Sequence, residues 1–325
     1  MLTEVKIQDL FRISNDEEFE KIALQVFEFQ KNQNSVYKNY LKFLGKEDFL
    51  PQKISEIPFL PISFFKSHQV ICGKQDAKQI FTSSGTGGMQ SRHLVSDLEV
   101  YRQSYRQGFQ YFYGPPSEYH ILALLPSYLE REGSSLIYMV EDLIQLSNSE
   151  ISGFFLNNME ELIQSLHAAR KTNRKILLLG VSFALLDLAE SHPMDLSDVL
   201  IMETGGMKGR REEITREELH GILKNSFQVK QVHSEYGMTE LLSQAYSDGN
   251  GIFNCPPWMK VIFRNTYDPF ELNKNSGGVN VIDLANIYSC SFIETADLGR
   301  VHGRGFEILG RLDNSDIRGC NLMIE

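Results

Sequence analysis

Four short runs of apolar, strand-forming residues, at positions 120–125, 175–181, 198–203 and 229–233, alternate with stretches of helical character. No other feature of the sequence restricts the fold as much. Strands that return through helices are parallel, and helices cover the faces of a parallel sheet, so an α/β architecture is expected. Upstream, apolar residues between positions 17 and 44 recur at helical spacing, as Phe19, Ile22, Val26 and then Tyr37, Tyr40, Leu41 and Leu44, with Gly45 placed to stop the helix. The segment IPFLPISFFK (57–66) holds two prolines among large apolar side chains and reads as extended chain packed across a surface. From about Met259 onward closely spaced strands, MKVIFRN, GGVNVIDL and FEILGRL, predict a smaller antiparallel or barrel-like section. With no repeat, linker or low-complexity tract, residues 1–325 read as one domain: a helical and extended N-terminal region (1–66), an α/β core (67–258) and a β-rich section (259–325).

Composition removes several function classes. A hydrophobic fraction of 42% over 325 residues supports a sizeable buried core and argues against disorder. The net charge of -10, without clustered Lys and Arg, argues against a general nucleic-acid binder. Neither a signal-like apolar run nor a stretch long enough to span a bilayer is seen, so a cytoplasmic location is expected. The four cysteines, Cys72, Cys255, Cys290 and Cys320, lack C-x-x-C spacing, which argues against a disulfide framework or zinc ribbon. The histidines form no H-E-x-x-H set, so no protein-held transition metal is implied.

The segment TSSGTGGMQSR (82–92) follows the strand-like QIF and precedes the strand-like HLV, with a helix expected to begin near Ser96 or Asp97. Glycines at 85, 87 and 88 free the backbone so that successive N–H groups can converge on an anion, while Ser83, Ser84 and Thr86 add hydroxyl donors. Such a loop could hold a polyphosphate; a flexible surface turn is the alternative. It matches neither the G-x-x-x-x-G-K-[ST] loop nor the dinucleotide G-x-G-x-x-G.

Five further segments follow in order: HILALLPSYLEREGSSL, ETGGMKGRREEITREEL, HSEYGMTE, ETADLGRV and GRLDNSDIRGC. With the loop they make the chain resemble the superfamily of acyl-CoA synthetases, peptide-synthetase adenylation domains and luciferases, whose phosphate loop reads [ST]-S-G-T-[TG]-G. Within it, IPFLPISFFKSH, LPSYLEREGSSLIYM, NCPPWMKV and the terminal RGCNL are similar to the acyl-protein synthetase (LuxE) family. The resemblance implies the N-terminal-domain fold of adenylate-forming enzymes, with ATP and Mg²⁺ as cofactors. It also implies activation of a carboxylic, by family a fatty, acid as an acyl-adenylate. The acyl group would then ride on a protein cysteine to an acceptor such as a reductase subunit or carrier.

The same resemblance distributes roles among residues. Glu240 would hold Mg²⁺ and Thr239 would touch phosphate. Tyr236 would stack on adenine with Gly237 leaving room for its edge, and Gly205 and Gly206 would lie along the base. Asp297 would bond the ribose hydroxyls, although Ala296 replaces the usual glycine. Arg311 would reach ribose or phosphate, and Asp313 occupies the hinge position. The loop departs from the superfamily where x-P-K becomes Met89, Gln90 and Ser91, leaving Arg92 as a substitute cation. In acyl-CoA synthetases a mobile, lysine-bearing C-terminal domain follows the hinge; here the sequence ends at Glu325, so another acceptor is expected. Cys320, beside Arg318, is the acyl carrier by this resemblance, and an adjacent cation favours a thiolate. Each residue has a plainer reading: a helix-capping Glu, a core Tyr, a solvated Arg–Asp turn, a buried Cys. Two other functions stay open, a phenylacetate-CoA-ligase-like enzyme delivering to CoA and a non-catalytic nucleotide-binding protein.

Overall fold

The computed structural model describes residues 5–74, 76–83, 89–126, 133–206, 211–212 and 214–312. Asn15 starts the first long helix, Asp16–Gln33, by accepting the Glu18 N–H at 2.9 Å, and Glu18 reaches back to the Ser14 N–H at 2.9 Å. Phe19, Ala23, Val26 and Phe27 fill its buried face. Asn34 then leaves helical geometry and caps the next helix, Ser35–Phe43, by accepting from the Tyr37 N–H at 3.0 Å. The single helical region expected from periodicity is therefore two helices, and Gly45 follows them at φ +68°. Buried Gln30 donates to the carbonyls of Asn286 and Ile287 and accepts from Ser291 N–H, each at 2.9 Å. Those bonds fasten the N-terminal helices to a segment about 256 positions away.

The proline-bearing segment is extended at Leu60–Pro61, which pairs in parallel with Phe292–His302. It then forms a helical turn, Phe64–Ser67, that the reading of 57–66 missed, because Pro61 restricts itself and its predecessor but not the residues that follow.

A six-stranded sheet is ordered Gly153–Phe154, Tyr119–Leu124, Lys175–Val181, Val199–Thr204, His233–Tyr236, Ala245–Ser247, all parallel except the last pair. Its central strands are buried almost throughout, as expected of a sheet covered on both faces. The run at 229–233 is not a strand over that range. Gln228 closes the helix Arg216–Phe227 in the left-handed conformation, so residues 229–232 serve the return from the helix and the ladder begins at His233.

A second sheet is ordered Ile252–Phe253, Gly305–Arg311, Phe292–His302, Ser276–Asp283, Met259–Arg264, Leu272–Asn273 and is antiparallel along that path. Its edge strands do not meet, so among the described residues it is an open antiparallel sheet, the first of the two forms expected. A separate antiparallel pair joins Gln79–Thr82 to Arg92–Val95, the two strands that flank the glycine-rich segment in sequence.

Candidate functional site

Three parts of the chain, far apart in sequence, meet around Glu240. At the neck of the glycine-rich loop, Ser83 N–H donates to Ser91 O at 3.1 Å and Ser91 N–H donates to Ser83 Oγ at 3.0 Å. Ser83 thereby keeps its hydroxyl proton for another partner. The loop residues Ser84, Gly85, Thr86, Gly87 and Gly88 lie outside the described residues, as do Asp313, Arg318 and Cys320. Arg92 is exposed opposite Thr82 in the hairpin register.

Glu240 is 5% exposed, and burial raises its carboxyl above the ordinary carboxylate range. The nearby Ser91 hydroxyl, the Glu240 backbone N–H and the charges of Arg311 and Lys66 oppose that shift. Lys66 lies on the helical turn that the reading of the sequence had missed. The carbonyl of Glu240 accepts from Asn286 Nδ2 at 2.8 Å, which holds the backbone still. The preceding Thr239 offers its carbonyl to His93 Nδ1 at 2.8 Å, and burial pushes His93 down to about 4, so the ring is neutral at physiological pH. Because a carbonyl only accepts, Nδ1 carries the proton.

The other side of the site is built on a strand irregularity. Gly278 opposes Leu298 and Asn280 opposes Glu294, so four steps along one strand answer two along the other, and Asp297 sits in that bulge. Tyr236 Oη donates to Asp297 Oδ2 at 2.7 Å, and Arg311 Nε, on the neighbouring strand, lies 3.5 Å from Asp297 Oδ1. Arg311 is 81% exposed, so this ion pair contributes little to stability and leaves the guanidinium available to a ligand. The Tyr236 ring, read from the sequence as a stacking platform, packs against Phe253 and Phe306 with the residue 8% exposed.

Gly205 and Gly206 follow the strand Val199–Thr204, exposed and at φ +73° and +63°. Thr204 is the register partner of Glu235, so these glycines and Tyr236-Gly237 lie side by side at the carboxyl end of the parallel sheet. That edge is where ligands bind in open α/β sheets. Nothing lies within 4 Å of where a Gly206 Cβ would stand, and the result is an open strip of backbone. At Gly237 the reason for glycine is internal, since a Cβ would stand 2.4 Å from Glu235 Oε1. Glu235 Oε2 in turn accepts a short hydrogen bond from Thr204 Oγ1.

Behind this edge lie supporting groups that the sequence reading did not pick out. Glu203, 5% exposed, accepts from Arg216 Nε at 3.2 Å and stands 3.6 Å from His220 Nε2. Arg216 also donates to Ile308 O at 3.2 Å, which ties the helix to the strand bearing Arg311. Asp283 accepts from Leu242 N–H, Ser243 N–H, Ser243 Oγ and Ala285 N–H at 2.6–3.1 Å and fixes the turn after Glu240. Only the oxygen and nitrogen types of these residues were visible in the sequence; their burial was not.

The residues present fit ATP and Mg²⁺. Asp297 accepts one hydrogen bond, on Oδ2, and retains lone pairs for ribose hydroxyls. No group of three or more His, Cys, Asp or Glu side chains could hold a metal among the described residues, and a single carboxylate suits Mg²⁺, which keeps waters and substrate phosphate oxygens as ligands. No described helix is long and apolar enough to cross a membrane.

The model of the family described as "Acyl-protein synthetase, LuxE" matches residues 7–325. No curated protein matches the chain. Among solved structures, 2-hydroxyisobutyryl-CoA ligase in complex with R3-HIB-AMP aligns with a TM-score of 0.67 at 11% identity, over 92% of this chain and 68% of that one. Apo MatB from Rhodopseudomonas palustris gives 0.53 at 17%, over 74% and 49%. McyG A-PCP complexed with phenylalanyl-adenylate gives 0.51 at 17%, over 86% and 48%. At these identities the likeness is one of fold, and it agrees with the adenylate-forming α/β fold that the sequence motifs implied. The chain spans 43% of a coronafacic acid ligase from Pectobacterium brasiliense and 49% of MatB, under half the length of each.

Proposed function

Because the chain belongs to the acyl-protein synthetase (LuxE) family, we propose that it uses ATP to activate a carboxylic acid, a fatty acid by family, and hands the acyl group to a cysteine thiol. The observation that carries this reading is the junction at Glu240. Its buried carboxyl lies beside Ser91 at the neck of the glycine-rich loop and in the field of Arg311, whose strand partner is Asp297.

In the proposed reaction the substrate carboxylate oxygen attacks the α-phosphorus of ATP, the bond to the β-phosphate oxygen breaks, and pyrophosphate leaves. The chain's part is to position and neutralise. Loop N–H groups and the hydroxyl of Ser83 hold phosphate, Thr239 adds its hydroxyl, and Arg311 offsets charge that builds at phosphorus. Asp297 orients the ribose, while Gly205, Gly206, Tyr236 and Gly237 border the base. Glu240 would hold Mg²⁺, which supplies charge neutralisation on the phosphates. In the second step a thiolate attacks the acyl carbonyl carbon and AMP departs with the electron pair of the broken C–O bond.

Cys320 is the proposed carrier. Burial pushes the thiols of Cys255 and Cys290 up to about 12 and that of Cys72 up as well, so none of these holds an appreciable thiolate fraction. Intact mass measurement after incubation with ATP, Mg²⁺ and a set of carboxylic acids tests the reading. Wild type should gain one acyl mass that neutral hydroxylamine removes, and Cys320→Ser should gain none. Equal labelling of both would reassign the carrier, and acyl-CoA formed on addition of CoA without any labelling would favour a CoA ligase.

A further inference from the structure

At the bulge that carries Asp297, the residues Thr295, Ala296 and Asp297 stand opposite Val279 alone. Backbone groups at a bulge lose their ladder partners and, where buried, need others. Arg264 serves two of them. It belongs to the strand Met259–Arg264, which is separated from Phe292–His302 by the strand Ser276–Asp283. The side chain therefore crosses a whole strand. Its register partner there is Gly278, and a Cβ at Gly278 would stand 2.5 Å from Arg264 Cζ, so the guanidinium passes through space that only glycine leaves.

Beyond that crossing, Arg264 Nη1 donates to Val279 O at 2.8 Å and to Asn280 Oδ1 at 2.9 Å, and Nη2 donates to Thr295 O at 2.7 Å. Arg264 is buried, and Nη2 lies 3.5 Å from Glu294 Oε1, which offsets its charge. Thr295 carries the connection onward. Its hydroxyl donates to Val279 O at 2.8 Å and accepts the Asp297 N–H at 3.1 Å. Beside it, Ala296 O accepts from the N–H of Leu312, the neighbour of Arg311, at 2.7 Å. A guanidinium holds its donors in a rigid planar fork and so sets the spacing of the Val279 and Thr295 carbonyls; a lysine ammonium on its flexible stem does not.

We propose that Arg264 is a positioning residue for the nucleotide: it holds the bulge so that Asp297 presents its carboxylate to the ribose hydroxyls. This rests on the reading of Asp297 as the ribose ligand. It gives a buried cation two strands away from Asp297 a specific effect on recognition of the sugar.

Calorimetric titration with ATP and with 2′,3′-dideoxy-ATP, each with Mg²⁺ and without acid, separates sugar recognition from general stability. Wild type is expected to bind ATP about tenfold more tightly than the dideoxy nucleotide, since ribose hydroxyls donate to a carboxylate. Asp297→Ala should remove that preference. Arg264→Lys should weaken ATP to within about twofold of the dideoxy nucleotide, whose own affinity should stay unchanged. Thr295→Val keeps the side-chain shape, removes the hydroxyl that accepts from Asp297 N–H, and should give the same pattern; it decides the matter if Arg264→Lys does not fold. The proposal is overturned if a folded Arg264→Lys protein keeps the wild-type preference, or if it weakens both nucleotides equally, as a loss of structure alone would. Equal binding of the two by wild type would overturn it with the ATP site intact, because Asp297 would not then read the ribose. Binding of neither nucleotide by wild type would remove the ATP site, and this role with it.

Discussion

Glu240 stands in surroundings that oppose its own charge, and this separates what it does for function from what it does for stability. Its folded pKa lies above the unfolded value, so it favours the fold below the unfolded pKa and costs stability as pH rises through the folded one. Glu240→Gln keeps the size of the side chain and removes that cost, so at neutral pH without ligand its Tm should exceed that of wild type, while acid-dependent ATP–pyrophosphate exchange should fall by at least 10²-fold. A lower Tm with normal exchange would place the residue in the core alone. His93 titrates with the opposite consequence. Its pKa is lowered from 6.5 to about 4, so the stability it contributes is present above 6.5 and is lost as pH falls toward 4. Denaturant titrations across that window should show wild type losing stability relative to His93→Gln, with a slope difference approaching about 1.4 kcal/mol per pH unit. Parallel curves would mean that His93 titrates normally. Gly237→Ala should cost roughly 1–3 kcal/mol, because the new Cβ meets Glu235 Oε1 at 2.4 Å and must displace it from Thr204. An undiminished Tm would show that Glu235 moves aside freely.

At the scale of elements, the positioning of the site depends on the connections between strands more than on the strands themselves. Asp283 ties down the turn after Glu240 through backbone donors that would otherwise be buried and unpaired. Asp283→Ala should therefore destabilise the fold by roughly 3 kcal/mol or more and speed amide exchange at Leu242 and Ser243 before the central strands are affected. Uniform exchange throughout would show that the turn is not a separate unit. These connections explain what could be read in the sequence. The runs at 175–181 and 198–203 were legible because strands of a covered parallel sheet are apolar throughout, and the observed Lys175–Val181 and Val199–Thr204 follow them closely. The run at 229–233 misled because Val229 and Val232 are buried without belonging to a ladder. The bulge that carries Asp297 had no local signal, since register is a property of two strands.

For the whole molecule, the family and the fold could be read from motif order, whereas the packing that turns motifs into a site could not. Tyr236 shows the difference: its motif was plain, yet its hydroxyl bond to Asp297 and its burial against Phe253 and Phe306 depend on residues up to about 70 positions downstream. Ser91, which looked like a lost element of the phosphate loop, bonds Ser83 through its backbone and is one of the groups that oppose the raised pKa of Glu240. The most direct measurement of the central claim is exchange of labelled pyrophosphate into ATP, in the presence of Mg²⁺ and a panel of carboxylic acids, by wild type and by Glu240→Gln. The account predicts exchange in wild type that depends on at least one acid and is lost in the variant. Exchange with no acid on the panel, or undiminished exchange in a folded Glu240→Gln protein, would contradict it.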